Sequence, residues 1–345
     1  HTRYWRDWSS DVCSSDLGLS ERLYRALNVW MGRLPGGLLH TNIISCGVFS
    51  AVAGSSVATA ATMGSVALPY FEKSHYPPRL VLGSLAAGGA LGNLIPPGIT
   101  FIIYGLITET SVGALYLAAV GPSLLVVVLF LGVILWYSHV LNLKADVGVA
   151  LKWRDRLLSL VDLLPTTLLI GLVLGTIYAG WATPTESAAV ACVYAFLVTF
   201  LVYRDYQWSE LPRMVHRVVK TVSMVMMLIG FSVAFGYMMT LMQIPAKITM
   251  FFLSISDNKY VFLFLVNLLL LLLGTFMDLA PMLLICTPIF MPVIAKLGID
   301  PVHFGMIMIL NLGIGLITPP VGPTLFVGCA VGKVTMEQVS KELWP

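Results

Sequence analysis

Long apolar runs recur along the chain with few charges inside them. Leu115–Tyr137, Leu163–Ala179, Ala188–Tyr203, Val218–Met242 and Val261–Leu273 with its continuation are the clearest. A helix that crosses the roughly 30 Å hydrocarbon core needs about 20 apolar residues, so these runs predict transmembrane helices, and the whole pattern predicts roughly eight to ten membrane segments. The polar positions between runs are turn formers and basic residues. Lys144, Lys152, Arg154 and Arg156 fall in one connection, and Arg204, Arg213, Arg217 and Lys220 in another. The positive-inside rule places both on the cytoplasmic side. The two runs between them, joined by the turn Trp181–Glu186, return the chain to the side it left, so charge bias and span count agree.

Composition narrows the class. The 345 residues are 58% hydrophobic and 11% charged, with a mean hydropathy of +0.88, which leaves too little polar surface to cover a soluble globule. The fold class expected is all-α, a polytopic transmembrane helical protein. A net charge of +3 without a basic stripe argues against nucleic-acid binding. Cys46, Cys192, Cys286 and Cys329 sit in apolar segments, and no CxxC or Cys/His spacing suggests a metal or disulfide framework. Residues 1–17, rich in Trp, Ser and Asp, are read as a non-native segment resembling translated adapter sequence and not as a signal peptide. After the polar stretch Lys333–Glu342, a further span is expected beyond Pro345.

An internal repeat appears at an offset of 223 residues. Pro69, Lys73, Pro78, Gly92, Pro96-Pro97 and Gly105 match Pro292, Lys296, Pro301, Gly315, Pro319-Pro320 and Gly328, and Ser55 falls on Asp278. Interrupted hydrophobic segments at corresponding places in two halves point to the binding site of a secondary transporter. Proline in a helix removes its own N–H and displaces the carbonyl four residues earlier. The carbonyls expected to be freed are those of Gly92 and Asn93 in one half, and of Gly315 and Leu316 in the other. Such groups persist in lipid only where protein, water or an ion satisfies them. Sodium prefers oxygen ligands, and Ser55, Ser56, Asp278 and Thr318 lie nearby in sequence. Each has a bland alternative. Ser55 and Ser56 are also small packing residues, and Asp278 could be a loop carboxylate near the interface. Glu186 is expected to cap the helix starting near Ser187, Asn93 and Asn311 can bond between helices, and Met224, Met226, Met227, Met238, Met239 and Met242 are read as packing residues and not as a soft-metal path.

Several segments carry a family resemblance: Pro35-Gly36-Gly37-Leu38, Gly54-Ser55-Ser56, Gly92–Pro97, Thr183–Ala189, Gly298–Gly305 and Thr318–Gly322. From Gly18 to Pro345 the chain resembles the large membrane subunit of tripartite ATP-independent periplasmic (TRAP) transporters. The resemblance implies an elevator-type transporter with two inverted repeats, each holding a re-entrant hairpin and a broken helix. It implies a first transport repeat with its following span at 18–137 (hairpin 38–70, broken helix 80–107), scaffold spans at 138–253, and a second repeat at 254–345 (hairpin 261–291, broken helix 303–331). It further implies sodium-coupled import of an organic acid such as a C4-dicarboxylate across the bacterial inner membrane. The expected partners are a small four-helix membrane subunit and a periplasmic substrate-binding protein, with Na+ as coupling ion and no organic cofactor. On that mapping sodium is bound by Ser55, Ser56, Gly92, Asn93 and Pro96 at one break, and by Asp278, Gly315, Thr318 and Pro319 at the other. Substrate meets Ser56, Gly98, Thr318 and Gly322. Where the family commonly reads Ala-Asp after the Gly-Ser motif, this chain has Ala58-Thr59. A stand-alone divalent-anion/sodium symporter shares the same logic and is the alternative. An enzyme is not expected, because the chain has no GxSxG, no HExxH and no intramembrane acid to pair with Asp278.

Overall fold

The computed structural model describes residues 17–74, 76–141, 153–203, 208–255, 258–319 and 322–332. Residues 1–16, Lys144, Lys152, Arg204, Pro320 and the stretch from Lys333 onward lie outside them. Every regular element among the described residues is helical: α1 Leu17–Met31, α2 Gly37–Ala53, α3 Ser56–Glu72, α4 Pro78–Ala90, α5 Ile99–Thr108, α6 Val112–Val140 and α7 Trp153–Tyr178. After these come α8 Pro184–Leu197, α9 Leu211–Leu241, α10 Ile244–Ile255, α11 Lys259–Gly274, α12 Leu279–Lys296, α13 Pro301–Gly315 and α14 Pro323–Gly332.

Length sorts these helices into two kinds. Five stretches among the described residues are long and apolar enough to cross a bilayer: Val112–Val140, Ser159–Tyr178, Pro184–Leu201, Leu211–Leu241 and Leu279–Lys296. Five shorter apolar helices accompany them. The run Val261–Leu273, expected to supply a span, ends at Gly274 as the 16-residue α11, which reaches only about 24 Å at 1.5 Å per residue. A helix that stops short of the far interface must turn back or continue after a break. Subtracting 223 from the bounds of α11 to α14 gives 36–51, 56–73, 78–92 and 100–109, each within two residues of α2 to α5.

The chain packs as two units. Within the described residues, the first lies in His1–Ile99, Ala119–Gly175 and Leu316–Pro345, and the second in Thr100–Ala118 and Thr176–Gly315. In the first unit α2, α3 and α4 pack on one another and on α1 and α14. Leu23, Tyr24, Leu39, Cys46, Met63 and Leu85 form their core. Close approach is set by small residues: a Cβ on Gly89 would stand 2.7 Å from the Cβ of Ala60 and 3.1 Å from Cγ2 of Thr324. In a bilayer, where lipid is as apolar as leucine, such contacts replace the hydrophobic drive between helices. In the second unit α11 packs mainly on α13, and α12 on α10, α9 and α13. Phe252, Phe262, Phe290 and Phe304 meet there, ring against ring. Asn311 Nδ2 donates to Asn267 Oδ1 at 2.7 Å and to the Asn267 carbonyl at 3.0 Å, tying α13 to α11.

The long helices other than α12 present apolar side chains outward. None of the residues of α9 is buried, and Met224, Met226, Met227, Met238 and Met242 are all exposed. The expectation that these methionines fill helix contacts is therefore corrected for these five, whereas Met239 is half-buried. Apolar exposure on this scale fits a multi-pass membrane protein, whose surface faces hydrocarbon. Glu186 does cap: its Oε2 accepts from the Thr183 N–H and hydroxyl, both at 2.8 Å, and the Thr183 oxygen accepts from Glu186 N–H.

Thr183→Ala removes half of that reciprocal cap and is expected to cost about 1 kcal/mol, seen as a lower melting temperature of the purified protein in detergent. A double-mutant cycle of Asn267→Ala and Asn311→Ala should return a coupling of about 0.6 kcal/mol, and at most about 1.7, from the same melting experiment.

Candidate functional site

At each corresponding place in the repeat, a hairpin tip meets the glycine that precedes a helix break. In the first unit α2 ends on Gly54, which takes φ +62°, and α3 starts after the cap Ser55. α4 continues as a short tight turn, Leu91–Asn93, and regular helix resumes only at Ile99. Gly92 lies so close to the tip that a Cβ would sit 2.6 Å from the carbonyl carbon and oxygen of Ser55 and from the Cα of Ser56. Those are backbone atoms, which cannot swing aside. The Ile99 N–H points at the Gly54 carbonyl, 3.5 Å away, and the Ser56 hydroxyl donates to the Ala90 carbonyl at 3.4 Å. Ser56, Asn93, Pro96 and Gly98 are buried, and Ser55 is half-buried. The structure thus gathers Ser55, Ser56, Gly92, Asn93 and Pro96 around one break.

In the second unit a Cβ on Gly315 would stand 2.8 Å from the carbonyl carbon and Cα of Gly274. Gly274 ends α11, and Asp278 starts α12 as its cap, its Oδ1 accepting the Leu279 N–H at 2.8 Å. Ser55 and Asp278, equivalent at the offset of 223, hold the same capping position on equivalent helices. Asp278 is exposed at the surface of this chain. Thr318, Pro319 and Gly322 belong to the first unit, whereas Asp278 and Gly315 belong to the second.

The break after Gly315 closes differently from the sequence expectation. The Leu316 carbonyl, expected to be free, accepts the Thr324 hydroxyl at 2.8 Å. Gly322, at φ +43°, leaves no room for a side chain: a Cβ would be 2.9 Å from the Leu316 oxygen and 3.2 Å from the Thr318 oxygen. At the first break the Leu94 carbonyl accepts the Ser123 hydroxyl at 2.8 Å. Thr324 and Ser123 were not among the residues singled out from sequence. Thr324 has no hydroxyl counterpart in the repeat, since it corresponds to Phe101, and only folding brings both residues to the breaks. Asn311, open between a ligand and a helix contact, makes the helix contact. Thr59, which stands where the resemblance would lead one to expect an acid, is fully buried with its hydroxyl unpartnered. No group of three or more His, Cys, Asp or Glu that could hold a metal occurs among the described residues.

The chemistry available is that of oxygen cages and helix ends. α3 begins behind a neutral hydroxyl, so the positive end of its dipole stays available to an anion. α12 begins behind a carboxylate, which neutralises that end and offers a cation a charged oxygen. The two equivalent tips are therefore electrostatically unlike.

Comparison with known proteins places this arrangement. The family described as "Tripartite ATP-independent periplasmic transporter, DctM component" matches residues 12–345. The chain is 41% identical over 314 residues to the "C4-dicarboxylate TRAP transporter large permease protein DctM" of Pseudomonas aeruginosa, covering 91% of this chain and 73% of that protein. It is 36% identical over 333 residues to the "Isethionate TRAP transporter permease protein DctMQ" of Oleidesulfovibrio alaskensis, covering 95% and 52% respectively. To the "Sialic acid TRAP transporter large permease protein SiaM" of Vibrio cholerae it is 34% identical over 330 residues, covering 95% and 76%. With a family match over nearly its whole length, and two interrupted helices each pressed on a hairpin tip, the chain belongs to the DctM-component large permeases of the TRAP transporters, and is a transporter subunit and not an enzyme.

Proposed function

We propose that this chain moves an organic acid across the bacterial inner membrane, driven by sodium. It would act as the large permease of a complex with a small four-helix membrane subunit and a periplasmic substrate-binding protein. The observation that carries the reading is the pair of equivalent close approaches, Gly92 on Ser55 and Ser56, and Gly315 on Gly274. In each, the tip of a hairpin is held against a glycine at the place where regular α-helix stops. The Leu94 and Leu316 carbonyls at the breaks are met by hydroxyls of the chain itself; for further backbone oxygens there, in a water-poor surrounding, a hard cation is the partner that carbonyls, hydroxyls and a carboxylate suit.

On this reading sodium is held at the first break by Ser55, Ser56, Gly92, Asn93 and Pro96. At the second, Asp278 and Gly315, which lie in one unit, hold it. Ion binding orders the tips, and the ordered α3 N-terminus then meets the anionic group of the substrate, beside Ser56, Gly98, Thr318 and Gly322. The named substrates of the relatives, C4-dicarboxylate, isethionate and sialic acid, share an anionic group and little else, which suits recognition by a helix end and backbone N–H groups. Elevator-like movement of the substrate-bearing part would then complete alternating access.

Uptake of labelled organic acids into proteoliposomes holding the complete complex tests this. Uptake should require both sodium and the binding protein. Asp278→Ala should raise the half-saturating sodium concentration by about tenfold or more, which corresponds to ~1.4 kcal/mol. Gly92→Ala, whose added methyl collides with tip backbone, should abolish uptake while the protein still inserts. Sodium-driven uptake without the binding protein would instead favour a stand-alone symporter, and sodium-independent uptake would refute the coupling.

A further inference from the structure

α1 carries its charge on one side. Leu23, Tyr24 and Leu27 are buried in the core shared with α2 and α3, whereas Glu21 and Arg25 are exposed and Arg22 is half-buried. Arg33 is exposed in the turn that follows, beside the exposed Leu34 and Pro35. The 15 residues of α1 reach about 22 Å, too short to cross a hydrocarbon core of roughly 30 Å. A short helix with an apolar inner face and arginines outside has the pattern of one that lies in the plane of a membrane interface.

Contacts within the first unit fix the level at which α1 lies. Trp30 Nε1 donates to Ser159 Oγ at 3.1 Å, and Ser159 is where the apolar span of α7 begins. Arg25 Nη2 stands 3.9 Å from Asp162 Oδ2, one turn further along α7. Gly36, just past the turn, packs so closely on Ser138 that an added Cβ would overlap its hydroxyl oxygen, and Ser138 lies in the last turn of α6. Between the end of α6 and Ser159 the chain carries Lys144, Lys152, Arg154 and Arg156. α1 therefore belongs to the membrane face that the positive-inside rule makes cytoplasmic. Its charge is a property of this place and not of the repeat: at the offset of 223, Arg22, Arg25 and Arg33 correspond to Pro245, Ile248 and Ser256.

We propose that α1 and the turn after it bind the phosphate of an anionic phospholipid of the cytoplasmic leaflet, through Arg22, Arg25 and Arg33. Guanidinium groups present paired N–H donors that match phosphate oxygens, and that leaflet is the one whose anionic lipids attract basic segments. The Arg25–Asp162 separation is beyond hydrogen-bond length and the arginine side chain is 60% exposed, so a phosphate can engage it without displacing a strong pair. Glu21 is the opposing charge on the same helix, and three arginines outweigh it. An acyl chain finds the exposed Leu34 and Pro35 beside Arg33, apolar neighbours for which a free phosphate has no use. Trp30, a side chain suited to the boundary between lipid and water, is anchored where a span begins, which favours lipid over an acidic protein as the occupant. The proposal concerns the membrane around the chain and holds whichever ion or acid the chain carries.

The test adds phosphatidylglycerol, phosphatidylcholine or inorganic phosphate to the purified full chain in detergent. Native mass spectrometry reads the lipid retained, and the melting temperature is followed in parallel. The proteins are wild type, the triple variant Arg22→Gln/Arg25→Gln/Arg33→Gln, and the same three positions changed to Lys. Wild type should retain phosphatidylglycerol in preference to phosphatidylcholine and melt higher with it. A basic residue at an anionic surface is worth about fivefold in binding, so the glutamine variant should bind phosphatidylglycerol about a hundredfold more weakly, with its melting temperature in phosphatidylcholine unchanged. The lysine variant, which keeps the charge, should retain most of the preference. If the glutamine variant does not fold, Arg33→Gln alone, in the turn outside the helix, carries the test and should weaken binding about fivefold. Equal retention of the two lipids by wild type, or undiminished phosphatidylglycerol binding by the glutamine variants, overturns the proposal. So does a stabilisation that inorganic phosphate reproduces, which makes the site one for a free ion. Variants that keep the lipid but lose a protein partner of the wild type would make this face a protein interface, and the lipid proposal fails.

Discussion

A bilayer supplies no hydrogen-bond partners, so a helix that breaks inside it must find replacements from its own protein. Almost everything specific about this chain follows from how two breaks meet that demand. At the first, Ser123 reaches the Leu94 carbonyl. At the second, Thr324 reaches the Leu316 carbonyl. In both, a glycine lets a hairpin tip approach so closely that any side chain would collide with backbone. The breaks are thus stabilised by tertiary contact, and loosening that contact exposes polar backbone at a cost.

The same constraint separates two kinds of helix. Apart from α12, which is long enough to cross a bilayer, α2 to α5 and α11 to α14 are short, and the set is packed through glycine, asparagine and phenylalanine. α6 and α9 are long, uninterrupted at their centres by any comparable break, and apolar on the outside. Long helices satisfy their own backbone and need only a hydrophobic surrounding. Short ones need neighbours, so they carry the geometry that a ligand can alter. The two tips differ where the ends of the helices are capped: a hydroxyl at Ser55 and a carboxylate at Asp278. Repeat symmetry is preserved in backbone and abandoned in charge.

Much of this was legible in the amino-acid order. Apolar run length determined the membrane class, and Gly and Pro at matched positions determined the repeat, because backbone conformation at a break depends on residue type locally. The capping role of Glu186 was readable for the same reason, since Thr183 lies three residues away. What lay beyond the sequence was every decision involving partners far along the chain. Ser123 and Thr324 look like ordinary span residues until folding brings them to the orphaned carbonyls. Asn311 could have faced a ligand, and only packing against Asn267 gave it a helix contact. The outward direction of Met224 and Met238 depended on which face of α9 found a neighbour. The Tyr104 hydroxyl meets the Pro301 carbonyl across 197 residues. Local chemistry determines where a helix stops, whereas which group satisfies its broken end is a question of three-dimensional proximity, and that the tertiary structure alone decided.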